Sequence, residues 1–237
     1  MKMRPYTESI KKRITKDAEA IPVLMYHWFY DLEAGRKPDD PGGNWISAQM
    51  FEQQMQYLHD NDYYYASWKE LEDWIDYKID LPRKTIVLTD DDAYITFFTI
   101  ALPIFRKYGI PFTSFVPTSL EDDILPRVRE YEDEPYINFE SHSDDFHKYS
   151  RICYKKSTEE LYEDTRKSVE YLGKHEVFAY PFGQYCDAYI EALKLNGFKL
   201  AFTTVNTKVR RGMDPYILPR VRISKDMTID DFIQAIQ

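Results

Sequence analysis

An α/β domain on a mostly parallel sheet is the fold class this sequence predicts, and three observations carry it. Short apolar runs alternate with amphipathic helical stretches along nearly the whole chain. Two of those stretches open on a Ser-x-x-Glu capping box, Ser67 with Glu70 and Ser157 with Glu160. No segment rich in Gly, Ser or Pro marks a second domain, and no internal repeat is visible. Such alternation admits a closed barrel or an open, doubly wound sheet.

The elements follow in order. Residues 1–20 read as a polar arm, and 21–237 as a single domain. Ile21 to Tyr26 (IPVLMY) is a first strand with Pro22 at its start, ending at His27. Residues 31–46 carry Gly, Pro and Asp and read as a loop. Ser47 caps a helix to about Asp60, with Met50, Phe51, Met55 and Leu58 on one face. Tyr63 to Ala66 is a second strand. The helix after Ser67 runs to about Tyr77 with Leu71, Trp74 and Ile75 inward.

Thr85 to Thr89 is a fully buried strand, uncharged and largely β-branched, and it runs into Asp90, Asp91 and Asp92. Ile95 to Tyr108 is helical, with a kink or late start expected at Pro103 and a stop at Gly109. Strands follow at Phe112 to Val116 and Ile137 to Glu140, separated by an irregular acidic stretch, 118–136, containing a helical piece. The helix after Ser157 runs to about Leu172 with Leu161, Thr165, Val169 and Leu172 on one side. Val177 to Tyr180 is a strand, Ala188 to Leu195 a helix stopped by Gly197. Leu200 to Thr203 and Ile217 to Ile223 are strands, and Thr228 starts a last helix.

Composition narrows the function. The chain has 237 residues, 43% hydrophobic and 30% charged, an ordinary globular balance. Net charge is −9 and no basic cluster stands out, which argues against nucleic acid as a partner. No apolar run approaches the ~18 residues of a membrane span. The basic N-terminus lacks the apolar core of a secretory signal. The expected location is therefore cytosolic, or the cell surface if an export segment has been removed. Two cysteines, Cys153 and Cys186, are too few for a disulfide scaffold or zinc ribbon. The 20 Tyr, 14 Phe and 4 Trp suit packing first and sugar stacking second.

In α/β sheets, active sites form beyond the carboxyl ends of the strands. Three of the five histidines fall there: His27, His142 and, after a short loop, His147. The three aspartates end the central strand, and Pro181-Phe182-Gly183 and Arg220 lie late in the chain. A lone His at a strand end is ordinarily structural, and His59 and His175 are read so. Adjacent carboxylates repel unless a cation or donors offset them. Two imidazoles and a carboxylate suit a divalent metal with an open position, hydrolytic zinc or non-haem iron.

At these residues the chain resembles the polysaccharide deacetylases with a NodB-homology domain (carbohydrate esterase family 4), with features of the poly-N-acetylglucosamine deacetylase branch. The T-F-D-D-G motif appears as Thr89-Asp90-Asp91-Asp92-Ala93, and S-H-[ST]-x-x-x-H as Ser141 to His147. Tyr180-Pro181-Phe182-Gly183, Ala201-Phe202-Thr203, Leu218-Pro219-Arg220-Val221-Arg222 and the opening Pro22 to His27 complete six motifs in the family's order.

The resemblance implies a distorted, incomplete (β/α) barrel of about seven parallel strands. It implies a metal, Zn2+ or alternatively Co2+, Ni2+ or Fe2+, on Asp92, His142 and His147. Asp91 would be the base, His27 the acid that protonates the leaving amine, and the Phe182 N–H an oxyanion donor. Arg220 would hold Asp91 ionised, and Tyr180, Pro181 and Tyr94 would line the substrate. The implied partner is an N-acetylglucosamine polymer at the cell surface or in a biofilm.

Two positions depart from the pattern. Asp90 stands for Phe and should point away from Asp91; facing a core, it would need a partner or a proton. Ala93 stands for Gly and lacks its freedom at positive φ. These departures leave a glycan-binding protein with a degraded site as the alternative from another class. An O-acetyl polysaccharide esterase is the close enzymatic rival, and an iron oxygenase a distant third. Oligomeric state is not readable.

Overall fold

A computed structural model describes residues 16–33, 43–120, 122–148, 155–173 and 176–237. Cys153, His175, most of the 1–20 arm and most of the 31–46 loop lie outside these residues. At the end of the arm, Asp17 bridges Pro82 and the Ala18 amide donates to the Leu81 carbonyl, so this part packs onto the domain.

One parallel sheet organises the chain. Its strands are β1 (Val23–Tyr26), β5 (Thr85–Asp91), β6 (Phe112–Val116), β7 (Ile137–Ser141), β8 (Val177–Ala179), β9 (Leu200–Phe202) and β10 (Val221–Arg222). They stand in the order β10-β1-β5-β6-β7-β8-β9. β4 (Tyr64–Tyr65) adds to β5 at Thr85 and Ile86, below β1. Leu218 bridges Phe202 in parallel while Val221 pairs with Leu24. The segment 218–222 thus spans the gap from β9 to β1, and the sheet curls into an incomplete barrel rather than opening as a doubly wound sheet.

The pleat sorts side chains between two layers. Leu24, Tyr26, Ile86, Leu88, Phe112 and Phe139 face outward. They pack on Phe51, Met55 and Leu58 of α1 (Ala48–Asp60) and on Leu102 and Phe105 of α3 (Leu102–Lys107). Val23, Val87, Phe115, Val177, Ala179 and Phe202 face the barrel interior, which α2 (Trp68–Ile75) fills with Trp68, Leu71 and Trp74. Because all strands run the same way, their carboxyl ends, and the polar residues there, share one rim.

The expected caps form. Ser47, Ser67 and Ser157 each accept from the N3 backbone, and the Ser67 and Ser157 boxes are reciprocal. Thr228 makes a third box with Asp231 at the start of α7 (Ile229–Ile236).

Three expectations are corrected, and a fourth, at Pro103, holds. β5 runs on through Asp90 and Asp91 instead of ending at Thr89, because β6 continues to pair with both. The late start expected at Pro103 is present: a π turn, Phe97–Ala101, feeds α3, so that Pro103 sits in the first turn, where its missing N–H costs nothing. The 31–46 loop contains strand: β3 (Trp45–Ser47) pairs in parallel with β2 (Trp28–Tyr30), Trp28 opposite Trp45. The strand expected over 217–223 is only two residues long, because Leu218 pairs with β9 and Val221 with β1.

Candidate active site

Asp91, the last residue of β5, shares the inward face of Val87 and Thr89. Arg220 grips it bidentately, Nη1 to Oδ1 at 2.6 Å and Nη2 to Oδ2 at 2.7 Å. Arg220 is wholly buried and also donates to Thr89 Oγ1 (3.2 Å) and the Thr203 carbonyl (3.1 Å). Its guanidinium lies over the Phe115 ring, 5.5 Å from the centroid. Burial alone would push the Asp91 carboxyl up; the guanidinium overrides it and holds the group well below the usual carboxylate range. His27 Nε2 stands 3.8 Å from Asp91 Oδ2. Burial keeps its imidazole below the ordinary value, against the pull of Asp91 and Asp92.

Asp92 leaves the strand at φ 79° and turns to the two other histidines. His147 Nε2 is 2.9 Å and His142 Nε2 3.8 Å from Asp92 Oδ1. One ligand atom from each of the three lies within 4.8 Å of the other two. His142 is buried, and its Nδ1 sits 2.6 Å from the Ala179 carbonyl of β8. That carbonyl can only accept, so Nδ1 carries the proton and the Nε2 lone pair faces the cluster. Burial lowers the His142 pKa to about 4, so it is neutral, the ligating form. The donor set, the fixed tautomer and the mutual reach fit a divalent metal.

Support beneath these residues comes from groups that the sequence reading did not single out. Asp144 accepts from Thr118 Oγ1 at 2.7 Å and from Ser119 Oγ. Asp164, on α5 (Thr158–Leu172), accepts from the amides of Asp144 (3.0 Å) and Asp145 (2.8 Å). Ser141 and Ser168 hydroxyls meet at 2.5 Å. Of the expected inward face of α5, Leu161 and Thr165 are buried and Val169 and Leu172 pack on the core half-buried, while Asp164 and Ser168 are buried beside them. A carboxylate three residues after Leu161 was the available signal.

Asp90 does point away from Asp91. It is fully buried on the outer face, 3.0 Å from Ser114 Oγ, and its Oδ1 has no partner among the described residues. Burial and the neighbouring Asp91 push its pKa well above the ordinary value. Ala93 takes φ 47°, where Gly would be unstrained, and its carbonyl accepts from Arg127 Nη1 at 2.9 Å.

Phe182 sits in the 3-10 turn Pro181–Gly183 at φ 59°, and its half-exposed ring stacks on His147 at 5.1 Å. A Cβ on Gly183 would lie 2.2 Å from Thr204 Oγ1 and 2.7 Å from the Thr204 nitrogen, so only glycine fits. Tyr180 does not line a substrate surface: it is wholly buried, and its hydroxyl donates to the Tyr216 carbonyl. Pro181 is buried as well. Tyr94 is half-buried and belongs to an aromatic wall running from His27 through Trp28 (5.9 Å) and Trp45 (5.4 Å) to Tyr94 (6.4 Å). His59 packs on Tyr108, as a structural residue would.

Comparison with known proteins bears on family and fold. Residues 78–201 match the polysaccharide deacetylase family. The poly-beta-1,6-N-acetyl-D-glucosamine N-deacetylase of Staphylococcus epidermidis is 29% identical over 201 residues, 76% of this chain and 68% of that one. The structure of IcaB from Ammonifex degensii superposes with TM-score 0.74 at 27% identity, covering 93% of this chain and 97% of that one. The deacetylase PplD of Streptococcus pyogenes, solved with acetate, has the same fold, with TM-score 0.79 at 24% identity over 94% of this chain and all of that one.

Proposed function

This chain belongs to the polysaccharide deacetylase family, and from that premise we propose that it removes N-acetyl groups from a glycan of N-acetylglucosamine units. The observation that carries the proposal is the pairing of two adjacent aspartates with different partners. Asp91 is held ionised by Arg220, and Asp92 is turned to His142 and His147.

Asp92, His142 and His147 would hold the metal. When bound, a divalent ion acidifies water and polarises the amide carbonyl. Asp91 takes the proton of the attacking water, since Arg220 keeps it ionised and aimed. Attack of the water oxygen on the acetyl carbon forms the C–O bond, and the carbonyl becomes an oxyanion that the Phe182 N–H stabilises. The proton that Asp91 takes passes to His27, whose Nε2 stands 3.8 Å away, and His27 delivers it to the sugar nitrogen as the C–N bond breaks, releasing acetic acid and the amine. An amine leaves poorly without that proton, whereas an alkoxide depends on it less. His27 therefore favours N- over O-deacetylation.

Trp28, Trp45 and Tyr94 offer ring faces to the glycan. The net charge of −9 suits a neutral or partly deacetylated, cationic chain. The names of the staphylococcal relatives specify a β-1,6-linked polymer, and this linkage is the substrate we assign. A cell-surface polymer as substrate implies action outside the cell. Residues 21–237 act as one domain in this reading.

Acetate release from β-1,6- and β-1,4-linked N-acetylglucosamine oligomers and from O-acetylated xylan, in parallel, tests the assignment. A higher kcat/KM on the β-1,6 oligomers is expected. Faster release from xylan would replace the reading with an O-acetyl esterase. Binding without release from any substrate would replace it with a glycan-binding protein.

A further inference from the structure

His142 and His147 are separated by only four residues, yet both must face Asp92. The chain between them makes an unusual turn to do so. Ser143 takes φ 72°, a left-handed conformation that costs a non-glycine residue of order 1 kcal/mol. Phe146–Lys148 then forms one 3-10 turn that carries His147. So tight a turn leaves several amides pointing the same way with no helical acceptor.

Those amides converge on one side chain. Asp164 Oδ2 accepts from the Asp144 N–H at 3.0 Å and Oδ1 from the Asp145 N–H at 2.8 Å. Burial pushes the Asp164 carboxyl up to about 6, and the amides it accepts from oppose that rise. Asp164 is 5% exposed and sits on the inward stripe of α5, anchored by Leu161 and Thr165 on either side. On the opposite side of the turn, Asp144 is held by the Thr118 and Ser119 hydroxyls, and the Thr118 amide donates to the Ser143 carbonyl at 3.1 Å.

We propose that Asp164 is a positioning residue of the metal centre: its carboxylate gathers the Asp144 and Asp145 amides and so fixes where His147 meets Asp92 and His142. It touches neither substrate nor metal, and acts through the backbone. This inference deepens the deacetylase reading, but its metal-binding readout does not depend on that activity. The geometry explains why a buried carboxylate occupies a helix face otherwise lined by Leu161, Thr165 and Ser168. A carboxylate can take two or three N–H donors at once. A neutral amide has one acceptor oxygen, and its NH2 would confront the remaining donors.

The test is zinc affinity, read by competition with a chromophoric chelator, for wild type, Asp164→Asn, Asp164→Glu and the pairing of Asp164→Asn with His147→Ala. Asp164→Asn should weaken zinc about 10- to 100-fold, the range seen when groups behind a ligand are removed. Asp164→Glu should fall between it and wild type. In the His147→Ala background, Asp164→Asn should cause no further loss. Unchanged zinc affinity in a folded Asp164→Asn variant would overturn the proposal. So would an undiminished loss in the His147→Ala background, or failure of both Asp164 variants to fold, since each makes the role one of general stability. If wild type binds zinc but releases no acetate, the deacetylase reading fails while this inference is still decided by the affinities.

Discussion

Arg220 and Asp91 form a bidentate ion pair in which both side chains are buried. The pair has two consequences. It fixes the Asp91 carboxylate in one orientation, and it makes that carboxylate a weak base. Asp91 can therefore accept a proton only from a donor far more acidic than ordinary water. In the proposed reaction, water acidified by a metal on Asp92, His142 and His147 would be such a donor.

Arg220→Lys should lower kcat/KM at least about 100-fold, because one ammonium cannot hold both Asp91 oxygens, and misplacing a reacting group has costs of this size. Arg220→Met should cost about 3–5 kcal/mol in denaturant unfolding, since it leaves Asp91 buried and unpaired. Retention of wild-type activity by Arg220→Lys would contradict the role given to the pair.

Asp90 is expected to matter for stability and not for chemistry, since it faces the helices with Ser114 while Asp91 faces the interior. Asp90→Asn keeps the shape and should retain most of the activity. Asp90→Phe should overpack the site beside Ser114, at a cost of about 1–3 kcal/mol. Thermal unfolding of the two variants, with acetate release, checks both statements.

Glu140 supplies a pH dependence. It is fully buried, accepting from Asn138 Nδ2 and the amides of Glu176 and Val177, and burial pushes its pKa up to about 7 from an ordinary 4.5. Between these values the folded state holds the proton that the unfolded chain has lost. Stability from this group is thus complete below about pH 4.5 and falls as pH rises to about 7, by at most about 1.4 kcal/mol per pH unit. Glu140→Gln should flatten that part of the stability profile of the metal-free protein. An unchanged slope would contradict it.

Gly183→Ala should disturb the turn that carries Phe182. The residue has φ 71°, and the new Cβ would press on the Thr204 backbone nitrogen, which cannot yield as a side-chain end would. A loss of about 1–3 kcal/mol is expected, together with lower kcat. Removing the neighbour's hydroxyl by Thr204→Ala should not rescue it, because the backbone contact persists.

The rim was largely legible in the sequence because parallel strands put their carboxyl ends together. Apolar runs ending at His27, Asp91, His142 and Pro181 therefore mark one surface. Ser67 and Ser157 were equally legible, because a capping box is local. What was not legible depends on contacts distant in sequence. The Trp28–Trp45 pairing joins strands across a polar loop that carries no period-2 pattern. Nothing local to a charged helix marks Asp164; its role depends on the Asp144 and Asp145 amides, about twenty residues away in sequence. Tyr180, read with its motif as a substrate contact, belongs to the core because β8 has already turned its side chain onto Phe178 and Tyr189.

The most direct measurement is acetate release from N-acetylglucosamine oligomers by metal-stripped protein, before and after zinc, cobalt or nickel is restored, with Asp91→Asn alongside. Release that requires the metal, and disappears in an Asp91→Asn variant that still binds it, is the predicted result. Metal-independent release, or full activity in Asp91→Asn, would contradict the division of labour between Asp91 and Asp92.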